Sequence, residues 1–84
     1  MEKTIKGIIQ SKIGTLADNA EVTFRSNAMS IVLRGQEKLN PPDYLGGIVE
    51  ANEELKKIGF ESKRITFMHE VCFLDYVTGW NERC

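Results

Sequence analysis

Hydrophobic residues recur in this chain with two periods, and the switches between them divide it into four blocks. Residues 3–17 and 43–58 repeat at helical spacing, residues 21–34 and 60–77 at the two-residue spacing of strands. A helix with one apolar stripe and a strand with an apolar side each need an opposing layer, so the blocks must fold against one another. The alternation predicts a two-layer α+β domain of order αββαββ, with two helices on an antiparallel sheet of about four strands. Residues 1–84 make one domain, because 84 residues fall below the roughly 100 to 200 of an average domain and no second core fits.

In the first block, steps of about 100° place Ile5, Ile8, Ile9, Ile13, Leu16 and Ala17 within one half of a helical wheel. Lys12 falls inside this stripe, where its stem can lie along apolar surface while the ammonium reaches water. Gly7 and Gly14 sit together on the opposite face. They read as tolerated glycines, at roughly 1 kcal/mol each relative to Ala, ahead of a notch for another backbone. From Glu21 the period becomes two, which predicts a hairpin with Val22, Phe24, Ile31 and Leu33 buried on one side. A turn at Asn27-Ala28 pairs Phe24 with Ile31, Val22 with Leu33 and Glu21 with Arg34. A turn at Ser26-Asn27 keeps the same sides, so parity does not choose between them.

Gly35 to Asp43 is a loop closing on Pro41-Pro42. Proline disfavours helix in the residue before it, so the next helix is expected to start at Pro42 or to be capped by Asp43, with Pro41 outside. Tyr44, Leu45, Ile48, Val49, Ala51, Leu55 and Ile58 share one half of its wheel, and Gly59 is placed to end it. Two strands follow, joined at Met68-His69-Glu70. The second is apolar on both sides: Val71, Phe73 and Val77 on one, Cys72, Leu74 and Tyr76 on the other, interrupted only by Asp75. Such a strand is covered twice or presents one side to another chain. Residues 78–84 read as a flexible tail, with Trp80 as its one candidate anchor.

Eleven Lys and Arg against twelve Asp and Glu give a formal charge of -1. Nucleic-acid affinity comes largely from neutralising phosphates. Here the cations are scattered, Lys56-Lys57 is offset by Glu53 and Glu54, and nucleic acid is marked down as a partner. No apolar run approaches the ~18 to 20 residues of a membrane span. The start, Met-Glu-Lys-Thr-Ile-Lys, shows no secretory apolar region. Two cysteines twelve apart fit a reducing cytoplasm better than a disulfide framework.

The chemistry-bearing residues form no strong motif. His69 and Cys72 are an odd number apart and would point to opposite sides of a regular strand. Together with Asp75 and Cys84 they lack any paired metal-ligand spacing. The expectation is therefore a non-enzyme without cofactor. The candidate ligand-binding residues are Gly46 and Gly47, in the first turns of the second helix where backbone N–H groups can meet an anion, with Arg25, Arg34 and Asp75. The glycines lack the Lys-Ser/Thr of a phosphate loop and no strand directly precedes them, so close packing of the helix on the sheet is their simpler explanation. Asp75 is solvated, paired with Arg25, Arg34 or Arg64, or gripping a ligand.

A chain this short buries only about 60 to 65% of its unfolded surface, which favours a partner subunit. The expected contact is a two-fold dimer through the outer side of the sheet. Its interface is Val32 with Cys72, Leu74 and Tyr76, or with Val71, Phe73 and Val77 in their place. The expected function is a protein–protein interaction module, a small cytoplasmic regulator or inhibitor, including a virus-borne one, acting on an unidentified protein partner. The alternative is binding of a small anionic, nucleotide-type ligand at a subunit interface.

Overall fold

The computed structural model describes residues 2–78 of the chain. Helix α1 spans Glu2–Ile13 and passes into a single 3-10 turn, Gly14–Ala17. Then come β1 (Glu21–Phe24), β2 (Ala28–Arg34), α2 (Pro41–Lys57), β3 (Phe60–Met68) and β4 (Val71–Thr78). The strands form one antiparallel sheet in the order β1-β2-β4-β3. This is the α+β arrangement expected from the periodicities, with β2 and β4 at the centre. Both helices lie on one side. Ile5 and Ile9 of α1 and Ile48, Ala51 and Leu55 of α2 enter the core that Met29, Ile31 and Leu33 of β2 and Cys72, Leu74 and Tyr76 of β4 close from the sheet, all at 0–1% exposure.

The first helix ends earlier than its stripe. Gly14 has φ +82, a conformation that breaks the helical ladder and that glycine adopts without strain. The 3-10 turn behind it still carries Leu16 and Ala17 into the core. A Cβ placed on Gly7 would meet nothing within 4 Å, so no backbone uses that face. Lys12 runs out to water, its Nζ 3.7 Å from Glu50 Oε1.

The hairpin turns at Ser26-Asn27, where the Arg25 N–H donates to the Ala28 carbonyl at 2.8 Å. Val22 faces Ile31, Phe24 faces Met29 and Glu21 faces Val32. Relative to a turn at Asn27-Ala28 the register moves by two, which leaves every side chain on its expected side. Burial does not follow: Val22 is half-buried and Phe24 is 43% exposed. Strand β1 is an edge strand of four residues, and Phe24 sits at its end against Phe60, with ring centroids 6.3 Å apart. Arg34 no longer faces Glu21 but reaches it diagonally, Nε to Oε1 at 3.1 Å.

Helix α2 begins at Pro41, not Pro42. Asn40 takes the extended conformation that a following proline imposes, φ -98 and ψ 107, and Pro41 fills the first helical position, where its missing N–H has no partner to lose. Gly59, at φ +101, ends the helix as expected. The two glycines inside α2 differ. A Cβ on Gly46 would meet nothing, whereas one on Gly47 would lie 2.5 Å from the Lys12 carbonyl oxygen. Gly47 thus packs against α1, not against the sheet. In β3, a register shift between Ser62 and Arg64 makes Lys63 an extra residue, a β-bulge on the outer edge of the sheet. The turn to β4 is His69-Glu70, with His69 at φ +54. Thr78, assigned to the tail, is the last residue of β4 and is buried. The rest of that tail, Trp80 and Cys84 included, lies outside the described residues.

Candidate functional site

Alternation along β2 and β4 sends every second side chain away from the helices, onto a face that no described element covers. Pairing arranges that face in rows. Glu21, Val32, Phe73 and Thr66 cross the four strands in one row, with Arg34, Val71 and Met68 beside it. On the other side of Phe73 run Thr23, Ser30, Asp75 and Arg64, then Ala28 and Val77. Val71, Phe73 and Val77 are half-buried, and Met68 is 61% exposed. The face therefore has an apolar centre, closed at one corner by the Glu21–Arg34 pair.

At the turn end of the face the character changes. Arg25, Lys63 and Arg64 line a shallow cavity of about 230 Å3 with Ser30 and Asp75. Ser30 Oγ donates to Asp75 Oδ1 at 3.2 Å. Arg64 pairs with Asp75 in the strand register, yet among the described residues Asp75 stands in no ion pair with Arg25, Arg34 or Arg64.

The candidate ligand residues fall in three places. Arg25 and Asp75 share the cavity just described. Arg34 lies near the opposite end of β2, on the rim of a polar depression with Thr15, Asp18 and Tyr44. Gly47 is filled by the backbone of α1, which leaves no room there for an anion, and Gly46 stands in the open without side chains around it. The interface set divides as well. Val32 is on the open face, but Cys72, Leu74 and Tyr76 point the other way, beneath the helices. The residues that share a face with Val32 are Val71, Phe73 and Val77, since two positions along a strand return to the same side.

The covered side holds the titratable groups with displaced pKa values. Burial pushes the Cys72 thiol up from 9.0 to about 11. Tyr76 is raised above its ordinary value by burial first and by Cys72 second, and its hydroxyl donates to Asn52 Oδ1 at 2.5 Å. Neither group reaches solvent. His69 is exposed at its turn, Nδ1 2.7 Å from Glu70 Oε2, whereas Cys72 is buried.

Lys63 and Ser30 were the residues that sequence reasoning did not bring to the cavity. Lys63-Arg64 is visible as a basic pair, but only the bulge lets consecutive residues line one site. No protein-family model and no curated protein matches the chain. No helix among the described residues is long and apolar enough to cross a membrane.

Proposed function

We propose that the chain is a non-enzymatic protein–protein interaction module that works through the uncovered face of its sheet, and that a second copy is the first occupant of that face. One observation supports the reading: Val32, Val71 and Phe73 adjoin on a side that no described element covers, with Met68 beyond them and Val77 set apart by the row of Ser30, Asp75 and Arg64. Four strands about 4.8 Å apart and roughly seven residues long give a whole face of about 440 Å2, of which the apolar residues make up only a part. Patches of roughly 300 to 600 Å2 are the largest on typical monomers and are often functional. A standard interface takes about 800 Å2 from each partner. The self-contact thus belongs to the small, exchanging class, and the face remains open to a competing protein. That suits a cytoplasmic regulator or inhibitor, virus-borne forms included, which occupies its target's surface and transforms no substrate.

Sedimentation of the wild type and Phe73→Glu, followed by capture from source lysate with each as bait, tests this. Support is a dimer that Phe73→Glu abolishes and a bound protein that Phe73→Glu loses. A chain monomeric at several hundred micromolar, with captured proteins indifferent to Phe73→Glu, overturns it.

A further inference from the structure

The cavity at the turn end of the open face differs in kind from the apolar rows. We propose that it binds the phosphate group of a small, hydroxyl-bearing phosphomonoester. Three cations and one carboxylate line it, a formal excess of two positive charges. Among the described residues none of Arg25, Lys63 and Arg64 stands in an ion pair, a condition shared with the scattered Lys3, Lys38 and Lys56, but only here do three such cations line one cavity. Without an ion pair among the described residues, these exposed cations add no contact that would explain their placement by stability. The bulge points the same way. In a regular strand Lys63 and Arg64 would face opposite sides; the extra residue lets both line one cavity.

The ligand class follows from charge, donors and size. A phosphomonoester carries about -1.5 to -2 near neutrality, which matches the excess of two, whereas a carboxylate repeats what Asp75 already supplies. Arginine forks bind phosphate oxygens in pairs. Asp75 has lone pairs beyond the one that Ser30 uses. These repel a bare anion but accept an O–H, so a hydroxyl beside the phosphate is favoured over phosphate alone. At about 230 Å3 the cavity is smaller than the roughly 300 to 1,000 Å3 of sites for drug-sized ligands. It suits a ligand the size of glycerol 3-phosphate.

The test is a nuclear magnetic resonance titration of the full chain at about 150 mM salt, near-physiological ionic strength. The probes are glycerol 3-phosphate, inorganic phosphate and acetate. The signals are the Arg25 and Arg64 Nε–H groups and the amides of Ser30, Lys63 and Asp75. The expected result is saturable binding of both phosphates, with glycerol 3-phosphate about tenfold tighter than inorganic phosphate and acetate weakest. Arg64→Gln, on an exposed edge, should weaken both by about tenfold, and Arg25→Gln gives an independent second variant. Asp75→Ala should erase the preference for glycerol 3-phosphate. A phosphoserine peptide separates the sources: tighter binding than glycerol 3-phosphate assigns the phosphate to a modified protein, weaker binding to a free small molecule. Absence of saturable shifts, binding unchanged in both arginine variants, acetate equal to phosphate, or a preference that survives Asp75→Ala overturns the proposal.

Discussion

Cys72, Leu74 and Tyr76 on one side of β4 lie at 0–1% exposure beneath two helices, while Val71, Phe73 and Val77 on the other side stay half-buried with no described layer over them. Both sets are apolar, so composition did not decide which was covered. Layer dimensions set only that one of the two could be. Helices of 12 and 17 residues run about 18 and 26 Å and are each about 10 Å wide. Side by side they cover one face of a sheet about 19 Å wide and are then used up. The second face can be served only from outside these described elements, which is what supports the partner proposed above.

The comparison breaks most sharply by placing the same charge on each side of β4. Leu74→Glu buries a carboxylate among Ile31, Leu33 and the helices and should leave the chain unfolded; even Leu74→Ala should cost about 2 to 5 kcal/mol. Phe73→Glu should keep the circular dichroism and cooperative melt of the wild type and lose only self-association. If both variants unfold, or neither does, the two faces are not distinct.

A pH series sharpens the covered side. Cys72, raised from 9.0 to about 11 by burial, and Tyr76, raised by burial and by Cys72, hold protons in the folded chain that the unfolded chain releases. Their contribution is intact below pH 9.0 and is lost as pH rises from there through about 11, so stability should fall over that window. Thermal melts of Cys72→Ala should begin the fall nearer pH 10.0, where the unfolded Tyr76 titrates. Identical profiles would mean that the thiol is not desolvated.

The helical layer itself can be tested at neighbouring positions. Gly47→Ala drives a methyl against the Lys12 carbonyl and should destabilise by about 1 to 3 kcal/mol, whereas Gly46→Ala should stabilise by about 0.5 to 1 kcal/mol. Phe24→Ala should cost about 1 to 2 kcal/mol, below the 3 to 5 typical of a fully buried Phe, because Phe24 keeps 43% of its surface in water. Glu21→Gln, which removes an exposed pair with Arg34, should change stability by less than about 1 kcal/mol. Urea denaturation curves measure all four.

What was legible in the sequence was whatever period and parity control. Ile5, Ile9, the buried Ile48, Ala51 and Leu55 of α2 and the two sides of the first hairpin follow from spacing alone, whereas Leu45, Val49 and Ile58 of the expected α2 stripe are exposed. Parity says that Cys72 opposes Phe73 across β4 but not which of them meets the helices, since that depends on where the crossover from β2 carries α2. Phe24 looked like core because its side is right; its exposure comes from the shortness of β1. The cavity was half visible, with Arg25 and Asp75 singled out. Arg64 was foreseen only as an ion-pair partner for Asp75, Lys63 joins through a bulge that no spacing rule announces, and Gly47 was read toward the sheet because the close pass of α1 is a tertiary contact.

Sedimentation equilibrium of the wild type, from about 10 micromolar to several hundred, tests the open face most directly, since interfaces at the low end of the size range belong to weak, transient contacts. The account predicts a mass that climbs with concentration toward twice the 9.5 kDa of one chain, and that stays at 9.5 kDa throughout for Phe73→Glu. A wild-type mass fixed at 9.5 kDa across that range, or a dimer that Phe73→Glu leaves intact, would contradict it.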